Sequence, residues 1–416
     1  MIQEIRIKNY LSFRDEVVLS FEATKDTTFE ECQVVNVTPK VRLLRFALVY
    51  GANASGKSNL LNAMDFLRDF WFDKKSDIDE ETGVVPFLLD TETPNEPSEF
   101  NIKFFVGDKR YWYALVLDDK QVIKEDLYVY NSVQPSLVFS RELDGTASLI
   151  KLNASLVKAN ATIVEQLNVK CLSNMSFFAA RNQVNCSLAY IDEVRDWMKN
   201  NMMPIIEPGT RMFEYAGKQM EKNAELKAYI LDFVHKADYN ITDVYTEREK
   251  VPIPDIVKAS IMEDKDIPEK AKEKMLADNA LERLRTDFQH TVKNKRGEEN
   301  YRLPNSLQSE GTKRTFGIEA AIYEAIKTNG ILPIDEIESS LHPELVEFII
   351  EKFLKEKSRS QLIVTSHYDP LLNTVDDLIR KDSVWFTEKE KDGHTTLYSL
   401  TDFKGLSKIS SFQKSY

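Results

Sequence analysis

Hydrophobic and polar positions alternate at the start of the chain. "IQEIRIKNY" changes face with each residue, and after a short turn "VVLSFEA" does the same, which predicts a pair of strands. "LLRFALVYG", residues 43 to 51, is instead a continuous apolar run ending in Gly, the pattern of a buried central strand. From Lys57 to about Phe70 the period becomes that of a helix, with Leu60, Leu61, Met64 and Leu67 on one side. Alternation returns from "FNIKFFVGDKRYWYALVLDDKQVIKEDLYVY" through "LVFSREL", and turns at Gly107-Asp108 and Asp118-Asp119 divide it into an antiparallel meander. Residues from about 187 to 290 read as mostly helical, broken at "EPGT" and "VPIPD" and carrying charged stretches such as "EKAKEK" from Glu269. Strand and helix patterns then alternate again in "ILPIDE", "ELVEFIIEKFLKE" and "SQLIVTSH". The expected fold class is therefore α/β, a core interrupted by an antiparallel β lobe and a helical insertion. The expected segments are 1–75 and 301–416 for the two parts of the core, 76–186 for the β-rich lobe and 187–300 for the helical insertion. No repeat, low-complexity segment or sustained heptad pattern is visible.

A chain of 416 residues exceeds the size at which one core usually stops growing, which agrees with two lobes or a large insertion. Apolar content of 42% and charged content of 29% describe an ordinary globular protein. A net charge of −12 argues against a protein wrapped in nucleic acid by bulk electrostatics, while leaving room for a local basic groove. Cys32, Cys171 and Cys186 have no C-x-x-C spacing, so neither a zinc site nor a disulfide framework is expected. The opening "MIQEIRIKNYLSF" lacks the apolar core of a signal peptide, and no stretch reaches the ~18 apolar residues of a membrane span. The expected location is the cytoplasm, with no membrane partner.

"GANASGKS", Gly51 to Ser58, matches the phosphate-binding loop G-x-x-x-x-G-K-[ST] between an apolar strand and a helix. Several backbone N–H groups must converge on a phosphate there, and side chains would obstruct them. Gly51, Asn53, Ala54, Ser55, Gly56, Lys57, Ser58 and Asn59 are the candidate nucleotide contacts, with Lys57 reaching the β- and γ-phosphates and the Ser58 hydroxyl binding Mg²⁺. In "ILPIDE" a short apolar strand delivers Asp335 and Glu336 to its C-terminal end, where ligands sit in open α/β sheets. Asp335 would hold the magnesium through water, and Glu336 would orient or deprotonate an attacking water. "LIVTSH" is another buried strand, ending at Ser366 and His367, whose ring can hydrogen-bond a terminal phosphate. "LQSEGTKR", residues 307 to 314, places Ser309-x-Gly311 just ahead of an apolar-periodic run, which taken alone is a helix cap.

Order and spacing narrow the class. Lys57 and Asp335 lie 278 positions apart, too far for the compact arrangement of most ring-forming ATPases. A guanine-reading N-K-x-D motif is missing, since "NKRG" at 294 to 297 lacks the acid. The order phosphate loop, long insertion, "SEG" helix start, acidic strand, "SSLHP", strand plus His resembles an ABC-type ATPase head of the SMC and RecF kind. More closely, "IRIKNYLSF", "YGANASGKSNLL" and "IDEIESSLHPEL" resemble the stand-alone AAA ATPases of bacterial anti-phage systems, such as the RloA-like and PARIS ATPases.

That resemblance implies ATP and Mg²⁺ as cofactors and a homodimer or higher homo-oligomer with composite ATP sites. It implies that "SEG" is the signature motif, with Ser309 and Gly311 binding the γ-phosphate on the opposite subunit. It implies also that Glu338 to Pro343 form the D-loop, that Glu336 and His367 are catalytic, and that Ser58 and Asp335 hold the metal. The sequence departs from the pattern in three places: the five-residue transporter signature is incomplete, His342 stands where a transporter D-loop has Asp, and Gln183 is the nearest candidate for the Q-loop glutamine. Unlike SMC proteins, the chain has room for no more than a stub of a coiled-coil arm. Unlike OLD nucleases, it has 49 residues after His367, too few for a Toprim domain.

Two functions are therefore expected as alternatives. One is an ATP-hydrolysing switch that controls a separate, nuclease-like effector encoded nearby. The other is a DNA-binding ATPase of repair or maintenance; the window Leu281 to Arg314 has eight basic residues against five acidic ones, a net of about +3.

Overall fold

The opening alternation forms two antiparallel strands, β1 (Ile2–Lys8) and β2 (Val17–Ser20), in the computed structural model of this chain, which describes residues 1–145, 147–237, 240–264 and 268–403. A two-stranded ribbon follows, β3 (Val34–Thr38) and β4 (Val41–Leu44), and then β5 (Phe46–Tyr50), buried along its whole length. The apolar run 43–51 is thus two strands and not one. Arg45 separates them: its buried guanidinium donates to the carbonyls of Cys32 at 3.0 Å and Leu354 at 3.2 Å and to Ser358 Oγ at 2.8 Å. Those bonds satisfy the carboxyl end of the helix Pro343–Lys355, which would otherwise bury bare carbonyls.

After β5 comes the helix Lys57–Phe70, with the boundaries its periodicity predicts and with Leu60, Leu61, Met64 and Leu67 buried. The meander is β6 (Ser98–Val106), β7 (Lys109–Leu117), β8 (Val122–Tyr130), β9 (Ser136–Asp144) and β10 (Ala147–Leu152). These strands join β1 and β2 in a seven-stranded antiparallel sheet of order β10-β9-β8-β7-β6-β1-β2. Phe66 stacks on Phe100 of β6 with ring centroids 5.2 Å apart, which fixes the Lys57–Phe70 helix on this sheet.

The region expected to be mostly helical does contain the helices Ile191–Asn201, Met212–Lys222, Ala224–Lys236, Asp255–Glu263 and Glu269–Asp278. It also contains β11 (Ile241–Pro252) and β12 (Ala280–Asn294), which with β13 (Gly297–Pro304) make a three-stranded antiparallel sheet. "NKRG" is the β12–β13 turn, where Asn294 Oδ1 accepts from the Arg296 N–H at 2.7 Å. The strands escape the sequence pattern because no residue of β11 beyond Val244 is buried, so neither face carries an apolar row.

The helix Glu310–Thr328 leads into β14 (Ile331–Ile334), the helix Pro343–Lys355, β15 (Gln361–Ser366), β16 (Val384–Lys389) and β17 (Thr395–Ser399). Their sheet has the order β14-β15-β5-β16-β17, parallel except for the last pair. The carboxyl ends of β14, β15 and β5 therefore share one edge. Residues 202–206 extend this sheet beside β14 through parallel bridges Met202–Ile331 and Ile206–Ile334.

Two compact units result. The first comprises Met1–Pro208, Glu324–Ser339 and Val346–Tyr416, and the second Gly209–Tyr323 with Ser340–Leu345. The helix Ile191–Asn201, expected with the insertion, belongs to the first unit. The expected C-terminal segment 301–416 runs past 403 into residues outside the described ones. In the second unit the rings of Phe213, Phe288 and Phe316 meet, Phe288 and Phe316 edge to face at 4.9 Å. Among the described residues, no helix is long and apolar enough to cross a membrane.

Candidate functional site

The phosphate loop leaves β5 at Gly51 and enters the Lys57–Phe70 helix at Gly56, whose φ of 105° is open to glycine and strained for other residues. No side chain caps this helix, so its first N–H groups have no side-chain acceptor. A Cβ at Gly51 would stand 2.5 Å from Thr387 Oγ1 and 2.6 Å from Ser55 Oγ, so the first glycine is required by close packing. The wall behind the loop is polar and shared: Ser55 and Thr387 hydroxyls are 2.6 Å apart, and Thr395 Oγ1 donates to Ser55 O at 2.9 Å. Asn59 Nδ2 donates to Ser12 Oγ at 2.8 Å. Asn53 and Ala54 form the exposed crest, Ala54 with a left-handed φ of 63°. Such a residue costs about 1–2 kcal/mol, less than the combined burial of Leu60, Leu61, Met64 and Leu67 at about 1.5–3 kcal/mol each. The helix can thus hold a strained loop in place.

Lys57 is buried, and its Nζ donates to the carbonyls of Gly51 at 2.8 Å and Ala52 at 2.9 Å. Burial holds its pKa below the ordinary lysine value, with Glu336, Asp335 and Glu338 acting against that shift. Three carboxylates thus share the neighbourhood of one ammonium.

Asp335 sits at the end of β14, where its N–H donates to Ile206 O at 2.9 Å. Ser58 Oγ donates to its Oδ2 at 2.8 Å, which brings together two residues 277 positions apart. Thr365 Oγ1 donates to its Oδ1, and that Thr365 hydroxyl in turn accepts the Glu336 N–H at 2.8 Å. Thr365 is fully buried on β15. Glu336 has φ 44°, an uncommon backbone state for a residue with a side chain, and the buried Ile337 anchors the turn by donating to Thr365 O at 3.2 Å. Glu336 is therefore turned out of strand geometry at the edge where the phosphate loop lies.

His367 follows β15. Its N–H donates to Glu338 Oε1 at 2.9 Å, and its Nδ1 stands 2.9 Å from the same oxygen. The imidazole is 43% exposed and the Glu338 side chain 12%. Behind them, Tyr50 donates to Asp369. Thus the structure brings Ser58, Lys57, Asp335, Glu336 and His367 to one sheet edge. Thr365, Ser12, Thr387 and Thr395 join them without any signal in the sequence beyond nearness to a motif, and Glu338, the first residue of the expected D-loop, joins them as well.

In the second unit, Ser309 caps the Glu310–Thr328 helix: its Oγ accepts the Thr312 N–H at 3.1 Å. A Cβ at Gly311 would lie 2.7 Å from Ser340 O, so glycine lets the "SSLHP" turn pack against the helix start. Ser340 has φ 61°, and the imidazole of His342 is largely exposed. Gln183 lies after the short helix Phe177–Arg181 and donates to Ala179 O at 3.5 Å, a local contact.

Magnesium takes oxygen donors and keeps several waters or phosphate oxygens in its shell. The Ser58 hydroxyl and Asp335 carboxylate are donors of that kind and already adjoin, and the uncapped helix start beside Lys57 suits a phosphate. Among the described residues no group of three or more His, Cys, Asp or Glu forms a metal cage. An apolar hollow of about 220 Å³ opens beside Asn59, lined by Leu11, Val85, Phe87 and Leu89.

No curated protein matches the chain in sequence. Among solved structures it is similar to an SMC head domain from Thermotoga maritima, with 13% identity and a TM-score of 0.45 over 96% of this chain and 98% of that one. It is similar also to an SMC head bound to the C-winged helix domain of ScpA, with 13% identity and a TM-score of 0.46 over 96% and 97%. Residues 46–152 and 209–373, more than half of the chain, match the family described as "AAA domain, putative AbiEii toxin, Type IV TA system". The chain belongs to that AAA domain family.

Proposed function

We propose that the chain binds ATP with magnesium at the strand-end site, hydrolyses it, and acts as an ATP-dependent switch on a separate effector in anti-phage defence, in the manner of RloA-like and PARIS ATPases. The observation that carries the chemistry is the 2.8 Å contact between Ser58 Oγ and Asp335 Oδ2 beside the buried Lys57. Ser58 and Asp335 hold the metal, which when bound supplies positive charge to the phosphates. Lys57 leaves the loop carbonyls for the β- and γ-phosphates, and the nucleoside rests in the hollow beside Asn59. Glu336 accepts the proton of a water whose oxygen forms a bond to the γ-phosphorus, while the bond to the bridging oxygen breaks and ADP keeps that oxygen. His367 meets the departing phosphate.

The family description names the matched domain itself as a putative toxin of a toxin–antitoxin system, which supports a defence role. Two copies close on ATP in an ABC-type dimer, with Ser309 and Gly311 of one facing the γ-phosphate of the other. The test is binding of a fluorescent ATP analogue and phosphate release, each with and without EDTA. Lys57→Ala should weaken binding by about 10- to 100-fold, the worth of one or two charge-assisted bonds. Equal binding by wild type and Lys57→Ala would refute the site.

A further inference from the structure

Glu338 lies two residues beyond the acid read as the base, at the start of the stretch read as the D-loop, and it is more buried than His367. Its Oε1 accepts from the His367 main-chain N–H at 2.9 Å and stands at ion-pair distance, 2.9 Å, from the ring Nδ1, while Oε2 is buried without a hydrogen-bond partner. A carboxylate oxygen facing Nδ1 decides which ring nitrogen carries a proton, because it can accept and cannot donate. Free imidazole has no such constraint. The Glu338 backbone is tied to the same turn as Glu336, since Ser339 N–H donates to Glu336 O at 2.8 Å. The base and the histidine therefore hang from one piece of chain, although their own strands differ.

We propose that Glu338 is the positioning residue of His367: it holds the main chain at the end of β15 and occupies Nδ1, so that Nε2 is the nitrogen turned towards the nucleotide, where it donates to the terminal phosphate only when the ring carries a proton on both nitrogens. This rests on the reading of His367 as a phosphate-facing group. The alternative is a carboxylate that caps one strand-end amide and has no influence on the ring.

The two are separated by NMR of the full chain labelled with ¹⁵N-histidine, at pH 8 and without nucleotide, with His367 assigned by His367→Gln. Wild type should show the Nδ1–H form. Glu338→Ala should shift His367 to the Nε2–H form, and Glu338→Gln, whose amide oxygen can still accept, should keep Nδ1–H but move its ¹⁵N resonance as the partner loses charge. An unchanged His367 spectrum in Glu338→Ala overturns the proposal. Should that variant fold poorly, an unmoved Nδ1 resonance in Glu338→Gln overturns it equally. Turnover gives a second reading: Glu338→Ala should lower kcat by about tenfold or more with the KM for ATP within about twofold, and Glu338→Gln should recover most of it. A tautomer that responds while no variant affects turnover would refute the catalytic role of His367 and leave the positioning intact.

Discussion

The strand-end site and the three-stranded sheet of the second unit both hold many charged residues, but they hold them differently. At the site, Asp335, Thr365 and Lys57 are buried, and the polar atoms of these three side chains are tied to another strand or loop. In the β11–β13 sheet the ion pairs are at the surface; Arg302 and Glu247, 3.7 Å apart, are 50% and 70% exposed. A buried polar group costs free energy unless satisfied, so its geometry is over-determined, whereas an exposed pair exchanges one partner for water at little cost. Precision is therefore expected in the first region and tolerance in the second.

The largest expected effect tests the first half of that contrast. Glu336→Gln keeps size and hydrogen bonding but removes the base, so turnover should fall by about 10²–10⁴-fold while nucleotide binding persists. ATP should then trap the dimer, read as a shift in mass on size-exclusion chromatography with light scattering. Unchanged turnover would exclude Glu336 from the chemistry.

Ser309→Arg carries the comparison into the second unit, where the Ser309 hydroxyl accepts the Thr312 N–H and stands 2.8 Å from Thr312 Oγ1, both within its own helix start. Cap loss alone costs about 0.5–2 kcal/mol and leaves turnover untouched. A role across a dimer predicts instead that ATP binding by the monomer survives while ATP-induced association and turnover are lost. Mixing with Lys57→Ala should restore some activity, because one of the two composite sites is then intact. If the mixed subunits associate and no ratio restores activity, Ser309 has no role in a partner's site.

How far the sequence carried differs along the same line. The phosphate loop, its helix from Lys57 to Phe70 and the acids after β14 were legible because glycine at fixed spacing and apolar periodicity are local signals. Thr365 was not, and nor was the contact that Glu338 makes from the start of the expected D-loop, since the partners lie on another strand, 29 or 30 residues away. β11 was illegible for the opposite reason: with none of its residues beyond Val244 buried, alternation has little to report, and long charged side chains read as helix. Arg45 hid a strand break inside an apolar run because its guanidinium found carbonyls in the interior.

Thr365→Val sharpens the contrast at nearly constant volume. It removes the donor to Asp335 and the acceptor for the Glu336 N–H together, and a buried group left unsatisfied costs about 1–3 kcal/mol. The urea midpoint should fall accordingly, and the magnesium concentration needed for tight nucleotide binding should rise. A loss of stability without any change in magnesium dependence would reduce Thr365 to a core residue.

The smallest effect is expected at Lys227, which pairs with Asp243 at 2.7 Å in the second unit, both about one-third exposed. Burial pushes the Asp243 carboxyl up, but the hydrogen bond from Lys227 and the Val244 N–H outweigh it, and the pKa lies below the ordinary value. A carboxyl lowered on folding adds stability above its unfolded pKa and loses it as pH falls through the folded one. Lys227→Ala should therefore cost about 0.2–1 kcal/mol at pH 7, reduced by solvent screening. Urea unfolding should give the same difference at pH 7 and pH 5, and a shrinking one below about pH 4. A cost as large as that of Thr365→Val would end the distinction between the two regions, because it would make an exposed pair as demanding as a buried one.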